Sequence, residues 1–134
     1  MGGPLGSLTV EIQGAATMAA PFVWFDLAVT DNDAGATAAF YSELFGWSSG
    51  PGVGDYHSWV NDGDQPWAGV LPVEPRQAGR WVPFVPVADL DAAVARATAL
   101  GGTAQGEKVT GPAGTTILVA DPSGAQIALF TPAE

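Results

Sequence analysis

Few side chains in this sequence can do chemistry. The chain has one histidine, His57, and no cysteine, which excludes thiolate nucleophiles, disulfides and zinc–thiolate sites. A metal site of two histidines and one carboxylate is excluded within one subunit. His57 could transfer protons near neutral pH, although a lone histidine on a strand is more often a hydrogen-bonded structural group. The five tryptophans suit a different chemistry, because indole rings stack on flat aromatic ligands and attract cations.

The charge of the chain bears on its partners. Fourteen acidic residues against four basic ones give a net charge of −10, which repels phosphate backbones and attracts cations. We therefore expect no nucleic-acid partner, although the charge could serve only to keep an apolar protein in solution. No run approaches the roughly 18 uncharged apolar residues of a membrane helix, so we expect no membrane partner. Without a targeting signal, the expected location is the cytoplasm.

A short pattern occurs twice and marks the starts of two helices. V-T-D-N-D-A begins at Val29 and V-A-D-L-D-A begins at Val87, each after an apolar, strand-like run. Asp31 and Asp89 are N-cap candidates, because an aspartate side chain can accept hydrogen bonds from the first turn. Glycines predict the helix ends, and apolar residues at helical spacing predict buried stripes. The glycines are Gly46 and Gly101-Gly102, and the stripes are Phe40 and Leu44 with Tyr41 and Phe45, then Leu90, Val94, Ala97 and Leu100.

Turn signals separate the strands that follow each helix. Asp62-Gly63 predicts a hairpin between DYHSWVN and PWAGVL. The stretch D-P-S-G that begins at Asp121 predicts a turn between TTILVA and AQIALF. The glycine-rich GPGVG at residues 50–54 lacks the Lys-Ser/Thr of a phosphate-binding loop, and we interpret it as a flexible connection.

These elements predict a β-α-β-β-β unit that occurs twice within an α+β fold. Residues 1–17 are interpreted as a leader or tag-like extension, and residues 18–134 as a single domain, which is long enough to bury its own core. Module one is expected at 21–73 and module two at 81–132. The linker between them, 74–80, is rich in proline, glycine and charge.

Three motifs within this order are specific. They are FYSELFGW at the end of the first helix, VADLDAAVAR before the second, and DPSGAQIALF at the close. Together they resemble the vicinal oxygen chelate superfamily of glyoxalases, bleomycin-resistance proteins and extradiol dioxygenases, over about Pro21 to Pro132. The resemblance implies two tandem modules that form a curved mixed sheet, a cup with the helices on its convex side. Many members are homodimers, so a homodimer is expected here.

The resemblance also implies where a metal would be bound. Catalytic members of the superfamily hold a divalent metal in the cup through His and Glu side chains. Here the histidine positions fall on Trp24 and on or near Val82, and the closing glutamate falls on Ala128. The matching strand of module one offers Ala68 or Gly69. None of these side chains binds metals, so we expect no metal and no other cofactor.

Strand alternation predicts the lining of the cup. On the first strand Phe25, Leu27 and Val29 face the helix, and the alternate residues face the cup, namely Trp24, Asp26 and Ala28. The predicted ligand-binding residues form apolar, aromatic walls with few polar groups, which is typical of a small-molecule pocket. They are Trp24, Asp26, His57, Trp59, Asn61, Phe84, Gln126, Ala128 and Phe130.

The assignment of His57, Trp59 and Asn61 depends on the strand DYHSWVN. Alternation places Tyr56, Ser58 and Val60 on the helix side and these three residues toward the cavity. A β-bulge in the strand would reverse that order.

Three functions remain open. The first is a binding protein that sequesters an aromatic or cationic natural product, similar to the bleomycin-resistance proteins of antibiotic resistance. The second is a metal-independent biosynthetic enzyme that uses His57 or Asp26 as an acid or base. The third, a metal-dependent lyase or dioxygenase, is disfavoured because its ligand positions carry no donors. We expect binding of a small molecule rather than catalysis.

Overall fold

The computed structural model describes residues 21–133, so the expected leader at residues 1–17 and the expected domain start at Met18 lie outside the described residues. The chain divides into a first unit, Trp24–Phe84, and a second unit that comprises residues 21–23 and 85–133. The element order is β-α-β-β-β followed by β-α-β-β-β, apart from short 3-10 turns. The predicted α+β class and its internal repeat are confirmed.

The first unit is a mixed sheet with one helix. Its strand order is β2-β3-β4-β1-β5, in which β1 is parallel to β4 and the other neighbours are antiparallel. The last two residues of β5 belong to the second unit. The elements are β1 (Trp24–Val29), a 3-10 turn (Asp31–Asp33), α1 (Ala34–Phe45), β2 (Ser48–Pro51), β3 (Ser58–Asp62), β4 (Gln65–Pro72), a second 3-10 turn (Pro75–Gln77) and β5 (Arg80–Pro86).

The turns of this unit follow the prediction in part. The hairpin at Asp62-Gly63 joins β3 to β4, and Gly63 has a φ of 66°, which favours glycine. The interpretation of residues 50–54 as a flexible connection is wrong for Gly50 and Pro51, which belong to β2. β2 pairs with β3 alone among the described strands, and such an edge strand tolerates glycine and proline.

The second unit is an antiparallel sheet with one helix. Its strand order is β8-β7-β6, and the turn that begins at Asp121 joins β7 to β8 as predicted. The carboxylate of Asp121 accepts the backbone N–H groups of Ser123 and Ala125, which holds this turn together. The elements are α2 (Leu90–Ala99), β6 (Thr103–Gly111), β7 (Gly114–Ala120) and β8 (Gln126–Pro132).

The two helices begin differently, although the sequence pattern is the same. Asp89 caps α2, since its Oδ1 accepts the N–H of Ala92 at 3.0 Å. The predicted N-cap at Asp31 is wrong, because Asp31 lies inside the 3-10 turn that precedes α1. Asp33 stands at the N-cap position of α1 without a side-chain cap bond. The end of α1 is as predicted, at Gly46 with a φ of 76°.

The predicted buried stripe of α1 is confirmed for Tyr41 and wrong for its other three residues. Phe40, Leu44 and Phe45 are 57%, 58% and 55% exposed. The helix packs on the core of the first unit instead through Ala34, Ala38 and Tyr41. These three recur at helical spacing, and the small alanines let the helix approach the sheet closely. Four neighbouring apolar residues at 40, 41, 44 and 45 span more of the helix surface than one face can bury.

The core of the second unit lies under α2. Leu90, Ile117, Val119 and Leu129 are buried there, with Val94 and Ile127 packed against them. Leu100, the last residue of the predicted stripe of α2, is 63% exposed, because α2 ends at Ala99. Neither helix in residues 21–133 is long and apolar enough to cross a membrane.

A matched pair of leucine truncations tests this division between core and surface. Leu27 is 4% exposed and belongs to the core of the first unit, whereas Leu44 is 58% exposed. We expect Leu27→Ala to lower the free energy of unfolding by about 2 to 5 kcal/mol. Leu44→Ala should change it by about 0.5 kcal/mol or less. Urea denaturation followed by circular dichroism measures both, and equal losses would contradict the packing described for α1.

Candidate functional site

The face of β1 that points away from α1 carries a buried carboxylate. Leu27 and Val29 belong to the core under α1, so the alternate residues Trp24 and Asp26 lie on the opposite face. Asp26 is only 7% exposed. Its atom Oδ1 accepts the hydroxyl of Tyr56 at 2.6 Å and the indole Nε1–H of Trp24 at 2.9 Å. No group within residues 21–133 donates to Oδ2, which leaves that oxygen as an acceptor for a ligand.

This environment raises the pKa of both Asp26 and Tyr56. Burial raises the pKa of Asp26 to about 6, and the hydrogen bonds from Tyr56 and Trp24 offset the effect only in part. Burial, together with the charge of Asp26, raises the pKa of Tyr56 well above its usual value, so Tyr56 stays protonated and remains a donor. Asp26 can therefore gain or lose a proton close to neutral pH, while Tyr56 holds it in place.

Three aromatic residues form what we call the aromatic cluster: Trp24 and Tyr56, which donate to Asp26, and Trp59, which contacts the rings of both. The ring centroids of Trp24 and Trp59 are 5.7 Å apart at 83°, and those of Tyr56 and Trp59 are 4.8 Å apart at 48°. Trp24 and Tyr56 meet edge to face at 6.4 Å. Each ring remains partly exposed. A negative group beside aromatic faces is an arrangement that attracts organic cations.

The place of Tyr56 differs from the prediction, which assigned it to the helix side. Because β3 begins at Ser58, strand alternation does not extend back to Tyr56. Its ring lies instead against Gly69 of β4, where an added β-carbon would come within 2.5 Å of two ring carbons. The glycine in the strand PWAGVL was the sequence signal for this contact, since an isolated glycine in a strand often marks a close approach.

Gly69 is also the position that the resemblance offers to a metal ligand. It pairs with Asp26 across β1 and β4, so the two residues lie side by side on the same face. The ring of Tyr56 covers Gly69, in the region that a longer side chain at this position would occupy. The alternative position, Ala68, is fully buried in the core under α1.

His57 does not join this group. It is exposed, its ring Nδ1 forms a hydrogen bond with Ser58 Oγ at 3.0 Å, and its backbone N–H donates to the carbonyl of Val70. Ser58 and Val60 are buried, as expected for the helix side of β3. These contacts tie His57 to the strand framework, whereas ring contacts connect Trp59 to Trp24 and Tyr56, the two residues that donate to Asp26.

Asn61 follows Trp59 on β3 after an irregularity in the pairing with β4, between Val60 and Asn61. A bulge could have reversed which side chains of β3 face the cavity, but this irregularity comes after Trp59. The Oδ1 atom of Asn61 is buried and has no hydrogen-bond partner in the described part of the chain. Its Nδ2 lies near Gly50 of β2, which pairs with Trp59.

The remaining predicted lining residues fall on two strands. Phe84 is half-buried on β5 and pairs with Trp24. In the second unit Gln126, Ala128 and Phe130 alternate along β8 with Ile127 and Leu129, which belong to the core under α2. The Gln126 amide donates to Gln105, and Ala128 is fully buried. Their role as ligand-binding residues stays a prediction.

The residues present do not fit the metal site that the resemblance implies. Val82, at the second histidine position, is a buried valine paired with Asp26. Trp24, Gly69 and Ala128 supply no ligand atom either. In the described residues, no three side chains of His, Cys, Asp or Glu come close enough to hold a metal ion. Asp26 alone provides one carboxylate, and hard cations need several oxygens.

A cavity of about 240 Å³ lies on the other side of the first unit. It is lined by residues of β1, α1 and β5, among them Leu27, Tyr41 and Trp81. Neither Asp26 nor any ring of the aromatic cluster borders it. We base the candidate site on the Asp26 face, because there a buried charge and exposed ring surface coincide.

Comparison with known proteins identifies the family. The family model of the glyoxalase-like domain matches residues 25–130. The chain belongs to this family. The resemblance to the vicinal oxygen chelate superfamily is thereby confirmed. The comparison with curated proteins gives no match.

Solved structures share the fold at low sequence identity. The chain is similar to methylmalonyl-CoA epimerase from Mycobacterium tuberculosis, with 18% identity, a TM-score of 0.60, and 90% of this chain and 93% of that one covered. It is similar to a glyoxalase/bleomycin resistance protein/dioxygenase superfamily member from Vibrio splendidus 12B01, with 14% identity, a TM-score of 0.56 and coverage of 81% and 96%. It also resembles the Mn(II)-bound glyoxalase from Novosphingobium aromaticivorans, with 16% identity and a TM-score of 0.58. There 86% of this chain covers 40% of the other protein.

Because burial raises the pKa of Asp26, the free energy of unfolding is expected to depend on pH. The folded protein binds this proton more tightly than the unfolded chain, whose pKa is near 3.8. The contribution of Asp26 to stability is therefore most favourable below pH 3.8 and declines as the pH rises toward 6, by about 3 kcal/mol in total. Asp26→Asn keeps an acceptor for Tyr56 and Trp24 but removes the charge. We expect the variant to gain stability relative to the wild type between pH 4 and 6 and to keep that gain up to pH 8.

Urea denaturation of both proteins at several pH values measures this difference. Asp33→Asn, which makes the same change in net charge at an exposed site, is the control and should show no such rise. A constant difference between Asp26→Asn and the wild type from pH 4 to 8 would contradict the burial of an ionised Asp26.

Proposed function

We propose that this protein binds an aromatic or cationic small molecule at Asp26 and the aromatic cluster, without a metal. The observation that carries the proposal is the buried carboxylate of Asp26, which two neutral donors hold by one oxygen among three aromatic rings. In residues 21–133 no Lys, Arg or His pairs with it. An organic cation would supply the missing positive charge and would also contact the rings.

Sequestration of a natural product, as in resistance by drug binding, is the form of this function that we propose. It requires shape, stacking and charge but no reacting group, and it suits a site where Asp26 and Tyr56, the ionisable pair among the described residues, already bond to each other. The glyoxalase/bleomycin resistance protein/dioxygenase superfamily member from Vibrio splendidus is consistent with it at the level of the fold. As further parts of the proposal, the protein is cytoplasmic and forms a homodimer.

A second candidate is a metal-independent enzyme that uses Asp26 as its acid or base. A pKa of about 6 is close to the operating pH, which favours proton transfer, and Oδ2 is left to face a substrate. The structural neighbours named as an epimerase and a glyoxalase make an enzyme reasonable on this fold. Mass spectrometry of a bound compound would reveal turnover. Turnover that is lost in Asp26→Asn but retained in His57→Ala would favour this candidate.

Calorimetric titration with a permanently charged, flat cation tests the proposed function. N-methylphenanthridinium at pH 8 should bind the wild type saturably, and Asp26→Asn should weaken binding by about tenfold or more, because the charge pair is lost. Asp33→Asn is the matched control, since it makes the same change in net charge on the α1 side of the sheet. Added Mn²⁺ or Zn²⁺ should leave the affinity unchanged. Equal binding by wild type and Asp26→Asn would reject the site.

The affinity for this cation should also depend on pH. Its charge does not titrate, and Tyr56 stays protonated, so Asp26 is the group of the site that changes between pH 5 and 8. Below its pKa of about 6 Asp26 is neutral and attracts the cation less. We expect binding at pH 5 to be about tenfold weaker than at pH 8. The same titration on Asp26→Asn should give a flat profile, and a flat profile in the wild type would disprove the role of Asp26.

A further inference from the structure

Four residues on neighbouring strands of the first unit form a row across the sheet. Asp26 pairs with Gly69, Gly69 with Trp59, and Trp59 with Gly50. Residues paired in this way lie side by side on the same face, about 5 Å from strand to strand. Trp59 is therefore flanked by a glycine on each neighbouring strand, and Asp26 stands at one end of the row.

The two glycines let the indole of Trp59 lie along the sheet. A β-carbon added at Gly50 would lie 3.7 Å from Cδ1 of Trp59, and one added at Gly69 would lie 3.2 Å from Cζ3. Because Cδ1 and Cζ3 are at opposite ends of the indole, the ring extends over both glycines. A side chain at 69 would displace the rings of Tyr56 and Trp59, whereas a β-carbon at 50 would meet the indole at ordinary contact distance. The indole thus forms a low platform that remains partly exposed.

The other two rings of the aromatic cluster lie at different angles to this platform, so its surroundings are asymmetric. Tyr56 covers Gly69 and is tilted by 48° against Trp59, so it continues the aromatic surface toward Asp26. Trp24 stands at 83° to Trp59 and donates to Asp26, and therefore forms a wall beside the carboxylate. A platform with one upright wall suits a flat molecule with a charged edge. A compact quaternary ammonium would instead need rings on several sides.

We propose that the ligand is a flat aromatic cation that stacks on Trp59 with its charged edge toward Asp26, and that Gly69 sets this specificity by keeping the indole low. This inference rests on the proposed function and narrows it, because it requires one ligand to be both planar and cationic. It makes Gly69, which carries no side chain, a specificity-determining residue.

Three probes of different shape and charge test the inference on the full chain by calorimetry at pH 8. N-methylphenanthridinium is flat and cationic, phenanthridine is flat and neutral, and tetraethylammonium is cationic but not flat. We expect the first to bind at least about tenfold more tightly than either of the others. Gly69→Ala should weaken its binding by about tenfold or more, because the added β-carbon would displace the rings of Tyr56 and Trp59. Gly111→Ala, at a strand glycine with open space around it, is the matched control and should leave binding unchanged.

Trp59→Leu and Trp59→Phe decide the question if Gly69→Ala fails to fold. The leucine variant should lose the flat cation, and the phenylalanine variant should retain part of the affinity. Equal binding of tetraethylammonium and N-methylphenanthridinium, or unchanged affinity in both Gly69→Ala and Trp59→Leu, would overturn the inference. If the affinity still depends on Asp26 in that case, only the inference fails. If Asp26→Asn also binds normally, the proposed function fails with it.

Discussion

The buried carboxylate of Asp26 is only partly satisfied by its hydrogen-bond donors, and the arrangement of the first unit depends on this group. A carboxylate removed from water needs hydrogen bonds or a positive partner, and Asp26 has two neutral donors on one oxygen. Burial is the largest influence on its pKa, which stays near 6 in spite of these bonds. A purely structural network would be expected to satisfy both oxygens. The remaining acceptor is the main reason to assign this face to a ligand.

The aromatic cluster and the glycines are consequences of holding that carboxylate. Tyr56 reaches Asp26 only because β4 has no side chain at Gly69, and the ring of Trp59 shares the space above the same residue. Aromatic packing, the hydroxyl bond and the bare backbone therefore depend on one another. Tyr56 covers the backbone at a position that the resemblance gives to a metal ligand, so a longer side chain at Gly69 would have to displace the ring.

Parts of this site could be predicted from the sequence and parts could not. The alternation of Phe25, Leu27 and Val29 placed Trp24 and Asp26 on one face, because strand periodicity is a local property. Tyr56 was assigned to the wrong side because it precedes the strand, where periodicity no longer applies. Gly50 was read as part of a loose connection, since edge-strand pairing depends on residues distant in sequence.

The helices, too, could be predicted only where the determining contacts are local in sequence. The cap at Asp89 could be predicted because it involves residues three apart, and the D-P-S-G turn is equally local. The burial of α1 could not, because its sequence offers more apolar residues than the sheet covers. Fold class and repeat came from patterns that recur over the whole chain. Which apolar residue is covered is decided by packing across the sheet.

Tyr56 lies outside the strands, and this position affects how the surroundings of Asp26 can vary. Asp26 lies on β1, between two neighbouring strands, whereas Tyr56 comes from the short connection between β2 and β3. A replacement of Tyr56 leaves the strand pairing of the sheet in place, but it removes the hydroxyl bond to Asp26 and the ring contacts with Trp24 and Trp59. Variation in that connection would therefore change the surroundings of Asp26 without moving the carboxylate from its strand.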